Sequence, residues 1–248
     1  MSKKTITLYH LYPDLLNLHA DFGNVAVIKM RCEKRGIEFI LKTLAIDESA
    51  DFCDADIIML GGGSPKELRK VSEQKSVIAD ALKNYVQSDG IVFASCEGYQ
   101  LLGNFYESDG EKIEGFGILD IETAYSEERL MSNAIIETTL GDRSVIITGF
   151  ENHTGRTNIK NHKPFGRVLS GYGNDASREF EGVIYKNTIA TYLCGPLLPQ
   201  NPEFADYLIE TALKRKGAMG EQGLDILDDT IEMRAKNFMI ERENKQKN

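Results

Sequence analysis

Ile91-Val92-Phe93-Ala94-Ser95-Cys96-Glu97-Gly98-Tyr99-Gln100-Leu101-Leu102-Gly103 is the stretch that decides the fold. Its first four residues form a short apolar, β-prone run, a polar Ser-Cys-Glu-Gly step follows, and then a helical pattern. That order predicts a buried parallel strand turning sharply into a helix, with Cys96 at the turn. Such an elbow lifts a side chain above the carboxyl end of a sheet, where open α/β folds bind their ligands. A helix N-terminus lowers a thiol pKa, and only the thiolate attacks. The N–H after the cysteine can face an oxyanion. A small buried cysteine at a strand end fits the same letters, and local pattern alone leaves both readings open.

Working outward, short apolar runs at 6–9, 37–41, 57–60 and 91–94 have the length and bounding turn residues of buried parallel strands. Helical patterns lie between them. In 76–88 the residues Val77, Ile78, Ala81, Leu82, Tyr85 and Val86 make one apolar stripe, and 21–35 reads as a helix ended by Gly36. The alternation predicts an α/β fold, a doubly wound, mostly parallel sheet flanked by helices. An antiparallel extension is expected at 133–140 and 144–150, paired across Gly141-Asp142, and a second pair at 182–185 and 188–193 turns at Lys186-Asn187. Two helices close the chain, at 202–216, with Pro at its start and Gly217 after its end, and at about 225–243. No repeat, low-complexity segment or linker interrupts this, so residues 1–248 read as a single domain.

Bulk properties narrow the function. A net charge of -9 argues against a partner read through its phosphates, so no nucleic acid is expected. No run approaches the roughly 18 apolar residues of a membrane span. The start, Met1-Ser2-Lys3-Lys4, lacks the apolar run of a secretory signal and reads as a lead-in to the first strand. The charged tail from Arg234 to Asn248 reads as a solvated helix face. Cys32, Cys53, Cys96 and Cys194 show neither a disulfide framework nor a zinc spacing. A cytoplasmic protein with free thiols, and no metal or cofactor in this chain, is the expectation.

A second element is Asp56-Ile57-Ile58-Met59-Leu60-Gly61-Gly62-Gly63-Ser64. A glycine turn after a buried strand lets backbone N–H groups approach an anion closely. The Walker Gly-Lys-Ser/Thr ending is absent, so a loop facing the oxyanion at Cys96 suits it better than a phosphate loop.

With these two motifs in place the chain resembles the class I, triad-type glutamine amidotransferases. Within them it is similar to the cobyric-acid-synthase-like (CobB/CobQ) branch, and most to the GatD-type glutaminase subunits of lipid II isoglutaminyl synthases. The resemblance runs through Tyr12-Pro13-Asp14-Leu15-Leu16-Asn17-Leu18, Asp21-Phe22-Gly23-Asn24, Gly61-Gly62-Gly63-Ser64 and the Cys96–Gly103 stretch. It continues in Gly149-Phe150-Glu151-Asn152-His153, Gly171-Tyr172-Gly173-Asn174 and Thr191-Tyr192-Leu193-Cys194-Gly195-Pro196. It implies that Cys96 is a nucleophile attacking the side-chain amide of L-glutamine through a thioester. Backbone of Gly63 and Glu97 would form the oxyanion hole, and Arg129, with Tyr99 and Gln100, would bind the substrate. The ammonia would pass to a Mur-ligase-like amidating subunit acting on the D-glutamate of a peptidoglycan precursor. ATP and metal ions belong, by the same resemblance, to that partner.

The chain also departs from the pattern. The family motif reads Tyr-Leu-His-Gly-Pro, and its histidine is the base; here the position is Cys194. A thiol, with a pKa of about 8.5, is a poor substitute for imidazole. General-base catalysis is worth about 100- to 10,000-fold, and removing the histidine of a catalytic unit has cost about a million-fold in one protease. Glu97 stands where the branch usually has Gly, and its carboxylate would repel a neighbouring thiolate. Pro65-Lys66-Glu67-Leu68 also departs from the usual continuation of the oxyanion loop. None of His10, His19, His153 and His162 has a spacing that marks a substitute base, and each reads as structural or exposed. The resemblance puts the Cys194 sulfur near Cys96; the two could bridge if their geometry permits, although a reducing compartment favours free thiols. Three functions follow: a glutaminase subunit impaired at its base, a non-catalytic paralogue that binds or regulates, and a cysteine hydrolase acting on another amide or ester.

Overall fold

The computed structural model describes residues 4–108 and 110–246; the lead-in Met1-Ser2-Lys3 and the tail's last two residues lie outside them. The first half alternates as the apolar runs require: β1 (Thr5–Leu11), α1 (Phe22–Glu33), β2 (Glu38–Leu44), β3 (Ile57–Leu60), α2 (Pro65–Ser72), α3 (Lys75–Gln87), β4 (Ile91–Ser95) and α4 (Glu97–Leu101). β1, β3 and β4 are apolar on both faces because helices cover both, and every residue of β3 and β4 is buried. β2 departs from the expectation of a buried strand. It pairs only with β1, at the edge of the sheet, and most of it is exposed. Lys42 there reaches Asp54, a charged device typical of an open sheet edge. α2 was not foreseen; Ser64 caps it in a reciprocal box with Glu67, which fixes the exit of the glycine loop.

The antiparallel extension is a second sheet, larger than its sequence signals suggested. It holds β5 (Phe105–Ser108), β6 (Glu111–Glu114), β7 (Glu122–Leu140), β8 (Arg143–Asn158), β9 (Gly166–Ser170) and β10 (Phe180–Glu181). β7 and β8 pair through the turn at Gly141, where φ is +65°, and run well beyond the segments 133–140 and 144–150. β11 (Val183–Tyr185) and β12 (Thr188–Thr191) then return to the first sheet, β12 lying parallel to β4 and β11 antiparallel at the edge. Two residues later β13 (Leu193–Cys194) pairs with β8 of the second sheet. The chain therefore changes sheets at Tyr192, and this crossing delivers Cys194 to the top of β4.

One apolar core joins Ile6, Ile57, Ile91 and Phe93 of the first sheet to Ile136 and Ile147 of the second, closed by Phe204 and Leu208 of α5 (Pro202–Arg215). The last helix, α6 (Thr230–Gln246), begins five residues later than the periodicity suggested. The preceding residues serve other bonds. Arg35 donates to the Asp225 carbonyl, and Asp228 accepts from the Thr230 N–H. Nor is the tail wholly solvated: Lys236 is buried against Glu203, and Asn133 donates to Glu243. Among the described residues no helix is long and apolar enough to cross a membrane.

Arg31 ties these late elements to α1. Only 1% exposed, it donates to Asp206 of α5 at 2.6 and 2.7 Å and to Asp229, before α6, at 2.6 and 3.0 Å. Breaking a buried pair leaves charge uncompensated, at a cost of about 3–5 kcal/mol. Arg31→Ala is expected to lower the urea midpoint by that much stability with an unchanged denaturant slope; a change under about 0.5 kcal/mol, the range of surface substitutions, would show that Arg31 ties nothing.

Candidate active site

Cys96 closes β4 with φ +55° and ψ -123°, a conformation that costs a non-glycine residue about 1–3 kcal/mol. Surrounding bonds over-determine it. Its N–H donates to the Thr191 carbonyl at 2.8 Å, and its own carbonyl accepts from the Tyr99 N–H at 3.0 Å. Ser95 Oγ donates to Asp21 Oδ1 at 2.6 Å, while Asp21 Oδ2 accepts from the Gly62 N–H at 3.2 Å. One buried carboxylate thus clamps the elbow to the glycine loop. A Cβ on Gly98 would lie 2.7 Å from the Gly61 carbonyl, and one on Gly62 would lie 3.0 Å from Cys96 Cβ, so the loop reaches the elbow only because these two positions are bare.

At the loop, the Glu97 carboxylate lies against Gly62, where an added Cβ would come 2.4 Å from its Oε2, and the backbone N–H groups of Glu97 and Gly63 favour its ionised form. Burial pushes its pKa up to about 7, and those N–H groups offset only part of the effect. Its Oε2 has no hydrogen-bond partner among the described residues and stands 3.7 Å from His19 Nε2.

At the base position, Cys194 is paired with Cys96 in a disulfide, their Cα atoms 5.5 Å apart and 98 residues separate in sequence. This differs from the free thiols that composition favoured. The cause is the sheet crossing at Tyr192, which Glu181 holds: its buried carboxylate accepts from Thr191 Oγ1 at 2.7 Å and from the Tyr192 N–H at 2.6 Å. Tyr192 stacks flat on His153 with ring centroids 3.7 Å apart. Burial pushes Glu181 up to about 8.

His19, Gly63, Glu97, Gln100, Arg129 and His153 line a pocket above this point. Arg129 is exposed at the irregularity of β7 between Tyr125 and Leu130, and donates to Asn152 at 3.0 Å. Gln100 donates to the Tyr192 hydroxyl at 3.2 Å. Tyr99 does not face the pocket, contrary to the substrate-binding role expected of it. Its ring is wholly buried and its hydroxyl donates to Asn174, so it supports the elbow from beneath. His10 is buried away from the pocket, and His162 accepts from the Asp120 N–H at the surface. His153 places Nδ1 2.9 Å from the Gly155 carbonyl and so donates from that nitrogen, leaving Nε2 without a hydrogen bond. His19 comes closer to the elbow than its place in the sequence suggests. A ring nitrogen of His19 and the sulfurs of Cys96 and Cys194 lie within 4.8 Å of one another. Its loop carries no local signal for this; Asp21, two residues on, was quoted within a motif but not assigned its clamp.

Residues 7–202 match the CobB/CobQ-like glutamine amidotransferase domain. The chain is 39% identical over 98% of its length, and 98% of the relative's, to the GatD subunit of lipid II isoglutaminyl synthase (glutamine-hydrolyzing) of Staphylococcus aureus. It is 36% identical to the same subunit of Streptococcus pneumoniae, covering 85% of this chain and 82% of that one. A probable cobyric acid synthase of Methanococcus maripaludis is 28% identical over 79% of this chain and 39% of its own length. Among solved structures, PurLQS of Thermotoga maritima superposes with a TM-score of 0.59 at 14% identity, covering 86% of this chain and 98% of that one, a likeness of fold.

Two outcomes are expected from the site. Thiol titration of the unreduced chain in denaturant should find the two free cysteines Cys32 and Cys53, rising by two after reduction; four at the outset would remove the disulfide. Glu181 has a folded pKa of about 8 against an ordinary 4.5, so the folded state holds the extra proton between those values. Stability is then greatest below about pH 4.5 as far as this group is concerned, and falls as pH rises toward 8. Glu181→Gln should flatten that fall in Tm between pH 5.5 and 8.5; parallel profiles of variant and native chain would refute the assignment.

Proposed function

The chain belongs to the CobB/CobQ-like glutamine amidotransferase family, and from that premise we propose that it is the glutaminase subunit of a lipid II isoglutaminyl synthase. The observation that carries this reading is near-full-length similarity to two such subunits, with a cysteine held at the elbow. In the reduced chain the Cys96 thiolate attacks the glutamine amide carbon, and the oxyanion forms against the N–H groups of Gly63 and Glu97. Collapse expels ammonia and leaves a γ-glutamyl thioester, which water hydrolyses to glutamate. Arg129 receives the charged end of the substrate. His19, within 4.8 Å of the Cys96 sulfur, is the imidazole positioned to take the proton that Cys194 takes poorly.

The acceptor of the ammonia is a Mur-ligase-like subunit in the cytoplasm that amidates the D-glutamate of a peptidoglycan precursor, with ATP and metal ions bound on that partner. A second reading, a subunit that binds the ligase without turnover, is favoured by one observation: Cys96 is tied to Cys194 in a disulfide, with no imidazole at that position.

Glutamate release from glutamine by the reduced chain, assayed with its co-expressed ligase, separates the two. Slow hydrolysis is expected, abolished by Cys96→Ala and raised about 100- to 10,000-fold by Cys194→His. No turnover by either the native chain or Cys194→His would overturn the glutaminase reading in favour of the binding subunit.

A further inference from the structure

We propose that the reduced chain holds a thiophilic divalent cation of the zinc type between Cys96, Cys194 and His19. The Cys96 and Cys194 sulfurs and a His19 ring nitrogen lie within 4.8 Å of one another. Around a tetrahedral zinc ion, bonds of about 2.3 Å to sulfur and 2.0–2.1 Å to nitrogen set neighbouring donors roughly 3.5–3.8 Å apart. Small side-chain rotations reach that spacing once the sulfurs are free to part. Two thiolates and one imidazole are the donor set that selects such a cation over calcium or magnesium.

A carboxylate lies on the far side of His19, outside the three-residue cluster. Glu97 Oε2 is buried, lacks a hydrogen-bond partner among the described residues and lies 3.7 Å from His19 Nε2. A buried carboxylate oxygen without a partner is costly, and a cation beside His19 would offset that cost. Both cysteines are buried, at 0% and 4% exposure, whereas His19 and Glu97 line the pocket, so the ion would enter from the pocket side. Sequence spacing hid the cluster, because the two cysteines are 98 residues apart and the histidine lies in a loop before α1.

The chemistry balances as follows. Opening the Cys96–Cys194 bond takes two electrons and two protons, supplied by a dithiol donor that closes its own disulfide. Binding of the cation then releases both thiol protons to solvent. The disulfide, the metal complex and the free nucleophile are mutually exclusive states of one sulfur, so zinc and glutamine compete for Cys96. The cation site itself does not depend on glutamine turnover.

The test is titration of the full chain, reduced with a phosphine and desalted without oxygen, with cobalt(II) as a spectroscopic stand-in. One equivalent should raise a thiolate-to-cobalt charge-transfer band and the visible bands of tetrahedral cobalt, both bleached by one equivalent of zinc. Cys96→Ser, Cys194→Ser and His19→Ala should each weaken zinc binding by more than roughly 100-fold, the upper end of what losing an outer-shell partner costs. His19 is only partly buried, so its variant tests the site even if a cysteine variant misfolds. Zinc should also shield Cys96 and Cys194, but not exposed Cys53, from alkylation mapped by mass spectrometry. Absence of the charge-transfer band in the fully reduced chain would overturn the proposal. So would a band that survives unchanged in His19→Ala, since the metal would then sit on other thiols.

Discussion

The backbone of Cys96 is the constraint on which the site depends. A non-glycine residue at φ +55° persists only where its surroundings leave no alternative. Here β12 receives its N–H, Asp21 holds the neighbouring Ser95 and Gly62, and Gly98 lets the glycine loop come within contact. The parallel sheet supplies the first of these bonds, the loop after β1 the second, and the loop after β3 the third. An elbow of this kind therefore needs the whole first sheet to be assembled before it exists.

The second sheet acts on the same point through buried carboxylates. Glu151 of β8 accepts from the N–H groups of Tyr172 and Gly173 and from the Ser132 hydroxyl, which fixes the loop that carries Asn174 under Tyr99. Glu181 holds Thr191 and Tyr192 where the chain leaves one sheet for the other. Such groups are expensive to bury unless their oxygens are bonded, and each is bonded to backbone N–H groups. They are framework for the site, and they explain why the position after Tyr192 and Leu193 falls on Cys96.

Legibility in the sequence followed the range of the interactions. The elbow, the strands at 57–60 and 91–94 and the turn at Gly141 were readable because each depends on neighbours in sequence. β2 was misjudged because its apolar Ile40 and Leu41 look like core; only pairing on one side reveals an edge. The fold, and the place of Cys96 at the strand-to-helix turn, were also accessible through the family motifs. The approach of His19 to the two cysteines was not, since one histidine in a loop has no period and no motif, and its neighbours Cys96 and Cys194 lie far along the chain. The resemblance implies a substrate role for Tyr99, but a helix turns successive side chains about 100° apart, and this one points beneath the elbow.

Two side chains stand within reach of the Cys96 sulfur, Cys194 and His19, with Glu97 beside the histidine. Replacing an imidazole by a thiol at the base position changes more than a proton acceptor. A histidine beside a cysteine leaves that cysteine free in every redox state, whereas a second cysteine makes its availability depend on the surroundings. Oxidation ties the pair together, and reduction releases two soft donors next to an imidazole and a carboxylate. Glu97 crowds the same point, its Oε2 lying against Gly62 and 3.7 Å from His19 Nε2. Any chemistry of the Cys96 sulfur therefore requires one event that a cysteine–histidine pair does not, reduction of the bond to Cys194. The scaffold is that of an amidotransferase, and the departure at Cys194 makes the Cys96 sulfur available only on reduction.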